Sequence, residues 1–349
     1  MARKASKVVG KGNKITAGLC EKGKISPEIL KLLASRKRWT LVGCDGVAQS
    51  TKTNTNLFKM LFDLFNSFEK YQENSTRNMN SAYKHKFQFP YERIEDPTGM
   101  TLLFQNNWHH TITIGVLYYI IIKSIEWAMR DRKPFDLRNY LSVWNMALAV
   151  FSICGTIRIA EESLTNLLSE GFTYTICHTV NCRGPSPFWA LLFFYSKIAE
   201  FGDTLFIVLR KKRLIFLHYY HHAAVLVYSA HSGAEHTAAS SLFLPMNFFA
   251  HSLMYSYYAL NSLGFKMPRW FAMAVTIVQT TQMLCGVAIT AVVFKLKVFD
   301  GARCQQSMGN LYLAIFLYST FAVLFIKFFY AAYLRKEKRR IAAEQKKVE

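Results

Sequence analysis

From Thr111 onward the apolar residues do not recur at the period of a half-buried helix or strand; they come in long blocks separated by short charged stretches. A block of about 20 apolar residues is the length that crosses a hydrocarbon core as a helix. Seven such blocks can be drawn, at 111–129, 141–160, 188–209, 214–231, 238–261, 270–294 and 311–334. They predict an all-α polytopic membrane protein with seven transmembrane helices. The fourth block is short and polar, so it needs protein neighbours rather than lipid. Upstream of about residue 100 the pattern changes to Gly, Ser, Asn, Thr and Lys, which predicts a poorly structured flank. One amphipathic patch there, at 57–68, suits a bilayer surface. The expected organisation is a basic, disordered flank over 1–88, a membrane domain over 89–335 and a basic tail over 336–349.

Charge adds an orientation. The net charge of +21 would suit nucleic acid if it formed one face, but it falls in bursts between apolar blocks and in the two ends, which excludes that partner. One alternating set of short loops holds Arg130, Arg132, Lys133, Arg138, Arg210, Lys211, Lys212, Arg213, Lys266 and Arg269; the other holds only Arg183, Lys295, Lys297 and Arg303. Positive charge stays on the cytosolic side, so the C-terminus is expected in the cytosol and, with an odd number of spans, the N-terminus in the lumen. The basic flank argues the other way, although long segments obey the rule poorly. Lys346 and Lys347, third and fourth from the end, fit a dilysine retrieval signal of the endoplasmic reticulum. Asn74-Ser75-Thr76 is a glycosylation sequon that a luminal flank would expose. The first 40 residues lack the apolar core of a signal peptide. Among seven Cys there is no C-x-x-C pair, which disfavours a structural zinc or a thioredoxin-like site.

Polar residues inside the blocks are the candidate chemistry, because each costs about 2.5–3.5 kcal/mol to insert. The third block carries Lys197, Glu200 and Asp203, whose spacing of three puts neighbours on one broad helix face where Lys and Glu can pair. A purely structural ion pair would explain Lys197 and Glu200 equally well. The fourth block carries His218, His221 and His222, three imidazoles on one face at offsets 0, 3 and 4. They suit a transition metal or a base and nucleophile near neutral pH. The fifth adds Asn247, His251, Tyr255 and Tyr258 on one stripe, and the sixth Thr276, Gln279 and Gln282. Such stripes often serve interhelical hydrogen bonding; four in succession imply a shared interior cavity.

In order and spacing these residues resemble the ELO family of very-long-chain fatty acid elongases, the membrane 3-ketoacyl-CoA synthases. The matching motifs are K-x-x-E-x-x-D-T at Lys197, Glu200, Asp203 and Thr204, H-x-x-H-H at His218, His221 and His222, N-x-x-x-H-x-x-M-Y-x-Y-Y from Asn247 to Tyr258, and T-x-x-Q-x-x-Q from Thr276 to Gln282. Pro90-Tyr91-Glu92 and Asn107-Trp108 match the family's lead-in to its first span. The run from Leu214 to His222 most resembles the branch that acts on saturated and monounsaturated chains.

The resemblance implies that the last six helices enclose an acyl-CoA tunnel, with Arg210, Lys211 and Lys212 at its cytosolic mouth for the CoA phosphates and Arg335 a further candidate. It implies acyl-CoA and malonyl-CoA as substrates, joined to give 3-oxoacyl-CoA, CO2 and CoA. His221 would accept the acyl group, and His251 would stand opposite at the enolate and its carboxylate precursor. Asn247, Gln279 or Gln282 would orient the imidazoles and Tyr258 would assist. No cofactor and no metal are implied. The partners implied are the bilayer and the ketoreductase, dehydratase and enoyl reductase of the same cycle, and a homodimer is compatible with the resemblance. The family commonly has a Cys in each of two luminal loops, which implies a Cys177–Cys304 disulfide, with Cys182 as the competing partner. A di-iron desaturase or hydroxylase also uses H-x-x-H-H, but it needs far more His on one side of the membrane than the ten in this chain provide. A transporter with a midplane site would show repeats with broken helices, and none are evident.

Overall fold

The computed structural model describes residues 57–335 apart from 73, 74, 76, 77, 182 and 183; Asn74, Cys182 and the Lys346–Lys347 pair therefore lie outside the described residues. The described chain is helical, without strands; its only sheet-like feature is an isolated bridge between Asn80 and Thr179. In chain order the helices are α1 (Leu57–Phe65), α2 (Pro97–Asn107), α3 (His110–Ala128), α4 (Arg138–Ser169), the short α5 (Phe172–Cys177), α6 (Pro185–Ala199), α7 (Phe201–Leu209), α8 (Phe216–Glu235), α9 (Ser240–Leu263), α10 (Arg269–Val298) and α11 (Met308–Phe329). A π-helical turn, Tyr330–Leu334, extends α11. Every apolar block of the sequence falls on one of these helices or a consecutive pair. Four of the helices, α3, α4, α10 and α11 with its π turn, are long and apolar enough to cross a membrane. The outer face of α3 exposes Ile112, Val116, Leu117, Ile120 and Ile121, a patch suited to lipid rather than water. The chain is a multi-pass membrane protein.

The remaining long segments, the short apolar pair α6–α7 and the more polar α8 and α9, carry polar side chains inward. The longest helix contact runs between α4 and α9, and two local features explain it. Gly155 of α4 lies directly under the ring of Phe248, where a Cβ would collide with it. Pro245 lies inside α9 and lacks the N–H that would bond the carbonyl four residues back. That carbonyl, on Ser241, accepts instead from Ser163 Oγ of α4 at 2.5 Å. The proline that breaks the internal ladder thus creates the acceptor that ties the two helices.

α6 and α7 are one apolar block divided at Glu200. The Glu200 N–H still bonds Ser196 four residues back, but the Asp203 N–H bonds Glu200 only three back. This tightened turn keeps Lys197 and Glu200 together while rotating Asp203 toward another helix.

Loops gather at two ends. At one, Lys211 Nζ donates to the carbonyls of Arg130 and Arg132 at 2.9 and 3.0 Å, and Arg138 Nε to Ser262. At the other, the Ala238 N–H bonds Gln305, the Gln305 N–H bonds Cys177, and Cys177 is joined to Cys304 by a disulfide.

This second end also holds the chain before α3. The amphipathic patch, α1, is among the segments that pack there. α1 packs on the start of α11, where Gly309 leaves room for the Leu64 carbonyl. His231 Nε2 donates to the Phe65 carbonyl at 2.8 Å, and Trp108 Nε1 to Asn66 Oδ1 at 3.0 Å. Residues 79–81 bond Thr179 and Gln305. Hydrogen bonds to main chain hold this segment, and a polar composition supplies them.

Candidate active site

The polar lines of α6 to α10 converge. Lys197 Nζ donates to Glu200 Oε1 at 2.7 Å and to Asn247 Oδ1 at 3.2 Å. Both members of the pair are almost fully buried, at 3% side-chain exposure each. Glu200 in turn faces two imidazoles: His251 Nδ1 lies 3.5 Å from Oε1 and His222 Nδ1 3.9 Å from Oε2. Glu200 Oε2 has no hydrogen-bond partner. A carboxylate at Nδ1 of His251 fixes the ring and leaves Nε2 for another group.

Asp203 belongs to a separate arrangement. It accepts from Trp144 Nε1 at 2.6 Å and from the Tyr255 hydroxyl at 2.7 Å. A third chain of bonds runs from the Tyr118 hydroxyl to Thr204 Oγ1 at 2.6 Å and on to His218 Nε2 at 2.9 Å. His218 and His222 lie with ring centroids 4.4 Å apart, while His221 packs against Phe321 at 5.0 Å. No hydrogen bond among the described residues ends on His221.

Two cavities meet here. A wide polar chamber is lined by His218, His221, His222, Asn247, His251, Tyr255, Tyr258, Gln279 and Gln282, with Asp203 on its wall and Arg138, Arg210 and Lys212 at its edge. A narrower, mostly apolar chamber runs from His221 past Val225, Tyr228, Ser229 and Gly233 to His236. His221, Asn247, Gln282 and Met283 border both. The arrangement places one imidazole, His221, at the junction of a polar and an apolar space, and a second, His251, beside a buried carboxylate.

Most residues singled out from sequence come together here, with exceptions. Lys197 and Glu200 stand behind the chamber wall, Glu200 facing its imidazoles and Lys197 reaching Glu200 and Asn247. Lys211, whose backbone is left-handed with φ 52, turns to bind two loop carbonyls and does not line the chamber. Arg335 is exposed beyond the π turn and does not line the chamber either. Gln279 Nε2 contacts Met254 Sδ at 3.1 Å, and the Thr276 hydroxyl meets Tyr333 at 3.1 Å. α4 supplies Trp144, Asn145 and Arg138, none of which belongs to a spaced motif. Asn145 is a polar residue in an apolar run, a signal the sequence contains; a Trp in a span reads as lipid contact, so Trp144 gives none. Among the described residues no group of three His, Cys, Asp or Glu is placed to hold a metal ion.

A family model described as ELO, the GNS1/SUR4 family, matches residues 103–341. Putative fatty acid elongase 4 of Caenorhabditis elegans is 52% identical over 275 residues, covering 79% of this chain and 94% of its own length. Very long chain fatty acid elongase 6 of Mus musculus is 38% identical over 267 residues, 76% of this chain and 100% of its own. Very long chain fatty acid elongase 3 of Homo sapiens is 34% identical over 259 residues, 74% and 95%. With the motif residues assembled around one chamber and the match extending over most of the chain, this protein belongs to the ELO (GNS1/SUR4) family, as a membrane enzyme of fatty acid elongation.

Proposed function

We propose that the chain is the condensing enzyme of elongation, a very-long-chain 3-oxoacyl-CoA synthase that joins acyl-CoA to malonyl-CoA. The observation that carries the reading is the position of His221 on the border between the polar and apolar chambers. There an acyl chain can lie in the apolar space while its thioester meets the imidazole.

In the first half-reaction a His221 ring nitrogen attacks the thioester carbonyl and the C–S bond breaks. The imidazole N–H passes its proton to the CoA thiolate, leaving a neutral acyl-imidazole. Malonyl-CoA then enters the polar chamber and loses CO2. The resulting enolate attacks the acyl carbonyl, the C–N bond breaks, and the imidazole takes up from solvent the one proton that the overall reaction consumes. His251 acts as the imidazolium, with Glu200 as counter-charge at Nδ1, so that its Nε2–H donates to the enolate oxygen where charge develops. Asn247 and Gln282 flank both chambers and orient the thioester, with His218, His222, Tyr255, Tyr258 and Gln279 completing the polar wall. Arg138, Arg210 and Lys212 take the CoA phosphates. Nothing in this sequence of steps calls for a cofactor.

In this reading seven helices cross the endoplasmic reticulum membrane, the broken α6–α7 pair acting as one, and the last six surround the tunnel. The charged loops near residues 130, 211 and 266 and the C-terminus face the cytosol, with Lys346 and Lys347 as retrieval signal. The disulfide then lies on the oxidising side. A 3-oxoacyl-CoA product requires reduction, dehydration and a second reduction, so the partners are enzymes of those classes. A glycosidase-sensitive mobility shift lost in Asn74→Gln places the flank in the lumen; cleavage of an N-terminal tag by protease outside sealed microsomes refutes it.

The direct test is condensation of acyl-CoA with labelled malonyl-CoA. His221→Ala is expected to lower turnover by at least the 10²–10⁴ typical of acid–base catalysis, with unchanged membrane insertion. A mass-labelled acyl adduct on His221 should accumulate when malonyl-CoA is withheld. A His221→Ala enzyme keeping a tenth of wild-type turnover removes the covalent role.

A further inference from the structure

The apolar chamber has a definite far wall, and its source is unexpected. α2, which precedes the first long apolar helix, supplies Met100, Thr101 and Phe104 to it. Resting on the reading of His221 as acyl acceptor, we infer that α2 is the acyl-length stop: Thr101 and Phe104, held against His236 and Gly233 at the end of α8, set the longest chain the enzyme accepts.

The wall is pinned. Thr101 Oγ1 donates to the Pro97 carbonyl at 2.7 Å and accepts from His236 Nε2 at 2.7 Å. Gln105 Nε2 donates to the Ala234 carbonyl at 2.9 Å, and its Oε1 accepts from the Tyr71 N–H at 3.1 Å. The Tyr71 ring stacks on His236 with centroids 4.8 Å apart. Phe104 meets Phe194 edge-on at 4.9 Å, and its ring faces the bare backbone of Gly233, where a Cβ would stand 3.8 Å from it. α2 is therefore braced from both sides, so an acyl end that reaches it meets a fixed surface rather than a yielding loop.

The depth of that surface is measured by α8, which carries both the acceptor and the stop. Gly233 lies twelve residues beyond His221, and His236, just past the last turn, fifteen. At about 1.5 Å rise per residue these are depths of about 18 and 22 Å. Carbon–carbon bonds of about 1.5 Å in an extended chain advance about 1.25 Å each, so the chamber accommodates about 14 to 18 carbons. The acceptor class is thus a long acyl chain rather than one already beyond 20 carbons.

The experiment is a panel of saturated acyl-CoAs from twelve to twenty-four carbons with labelled malonyl-CoA, run on microsomes. The wild-type enzyme should condense acceptors up to about eighteen carbons and fall away above. Phe104→Ala should raise the ratio of twenty-carbon to fourteen-carbon rates at least tenfold. Gly233→Leu, which drives a side chain into the chamber, should lower the ratio of eighteen- to twelve-carbon rates by a similar factor. If Phe104→Ala loses all activity, Phe104→Val replaces it, and the opposite shift in Gly233→Leu still decides. Both variants retaining the wild-type profile would overturn the stop while leaving condensation intact. A wild-type enzyme that condenses no member of the panel overturns the reading of His221 itself, and the stop with it.

Discussion

Among the buried carboxylates of this bundle, Glu92 and Glu200 are finished to different degrees. Glu92, in the chain before α2, is fully buried, and its oxygens are filled: Arg158 Nε and Trp189 Nε1 bond Oε1 at 2.8 and 2.7 Å, Arg158 Nη2 and the Phe89 N–H bond Oε2 at 2.5 and 3.1 Å. Glu200 is equally buried, yet only Oε1 is bonded, to Lys197 and more distantly to Ser196, while Oε2 is unpartnered beside two imidazoles at the chamber wall. A saturated carboxylate has nothing left to offer a substrate or a moving proton; an unsaturated one carries a cost that structure alone does not repay. Glu162 Oε2 is unpartnered too, but away from both chambers, so it is the two imidazoles beside Glu200 that assign it to the site, while the saturated Glu92 serves folding.

The largest expected effect breaks the Glu200 arrangement without unbalancing its charge. Replacing a buried ion pair by neutral groups of similar volume is often nearly neutral for stability. The double variant Lys197→Met with Glu200→Gln should therefore stay folded, while losing the charge that holds His251. Condensation should fall by about 10²–10⁴, the range of general acid–base contributions. Solubilised protein with normal size-exclusion behaviour and turnover within fivefold of wild type would mean the pair is only structural.

Glu92 should respond in the opposite manner. Burial alone would raise its pKa, but the Arg158 and Trp189 side chains and the Phe89 N–H outweigh it and hold the carboxyl below its ordinary value. A depressed folded-state pKa means stability that is present above the ordinary carboxylate pKa of about 4 and is lost as pH falls through the folded value. Glu92→Gln leaves Arg158 only Glu161 at 3.3 Å and the Phe87 carbonyl as partners, a loss of about 2 kcal/mol, as for a hydrogen bond to a charged group. The apparent melting temperature in detergent should drop at pH 7, and wild type and variant should converge on acidification below pH 4. Turnover per folded molecule should not change. A Glu92→Gln enzyme of normal stability and reduced turnover would reverse the contrast.

The two carboxylates were not equally legible in the sequence. Glu200 stands in an apolar block with Lys197 three residues before it, so its cost and its partner are both visible in one line of text. Glu92 stands in a polar segment where a carboxylate costs nothing, and its partner Arg158 is 66 residues away in another block; only its likeness to a family lead-in marked it. The same holds more widely. The helices that carry the imidazoles could be drawn because apolar length and polar offsets are local properties. The docking of α1 and α2 could not, because it rests on side chains reaching carbonyls, such as Gln105 to Ala234 and His231 to Phe65, which leave no periodic trace. Asp203 turned out to leave the Lys197–Glu200 pair for Trp144 and Tyr255, since the helix tightens at Glu200, a backbone change that no residue type there announces.

The mouth of the polar chamber carries the same lesson at a smaller scale, and there the sharpest contrast lies between adjacent residues. Arg210 and Lys212 line the chamber; Lys211 between them does not, and spends its ammonium group on the Arg130 and Arg132 carbonyls. In sequence the three are one basic run, and positive charge near a CoA phosphate should help wherever it sits. At physiological salt, however, screening over about 8 Å removes most of the benefit from a charge that does not approach the phosphate. Arg210→Gln and Lys212→Gln should each raise KM for acyl-CoA about three- to tenfold, as loss of a charge-assisted contact does, with the difference shrinking as salt is raised. Lys211→Gln should leave KM within about twofold and instead lower the apparent melting temperature slightly, by freeing the loop between α3 and α4. Equal KM increases in all three variants would show that the run acts as a diffuse field, and that the turn of Lys211 away from the chamber has no bearing on substrate capture.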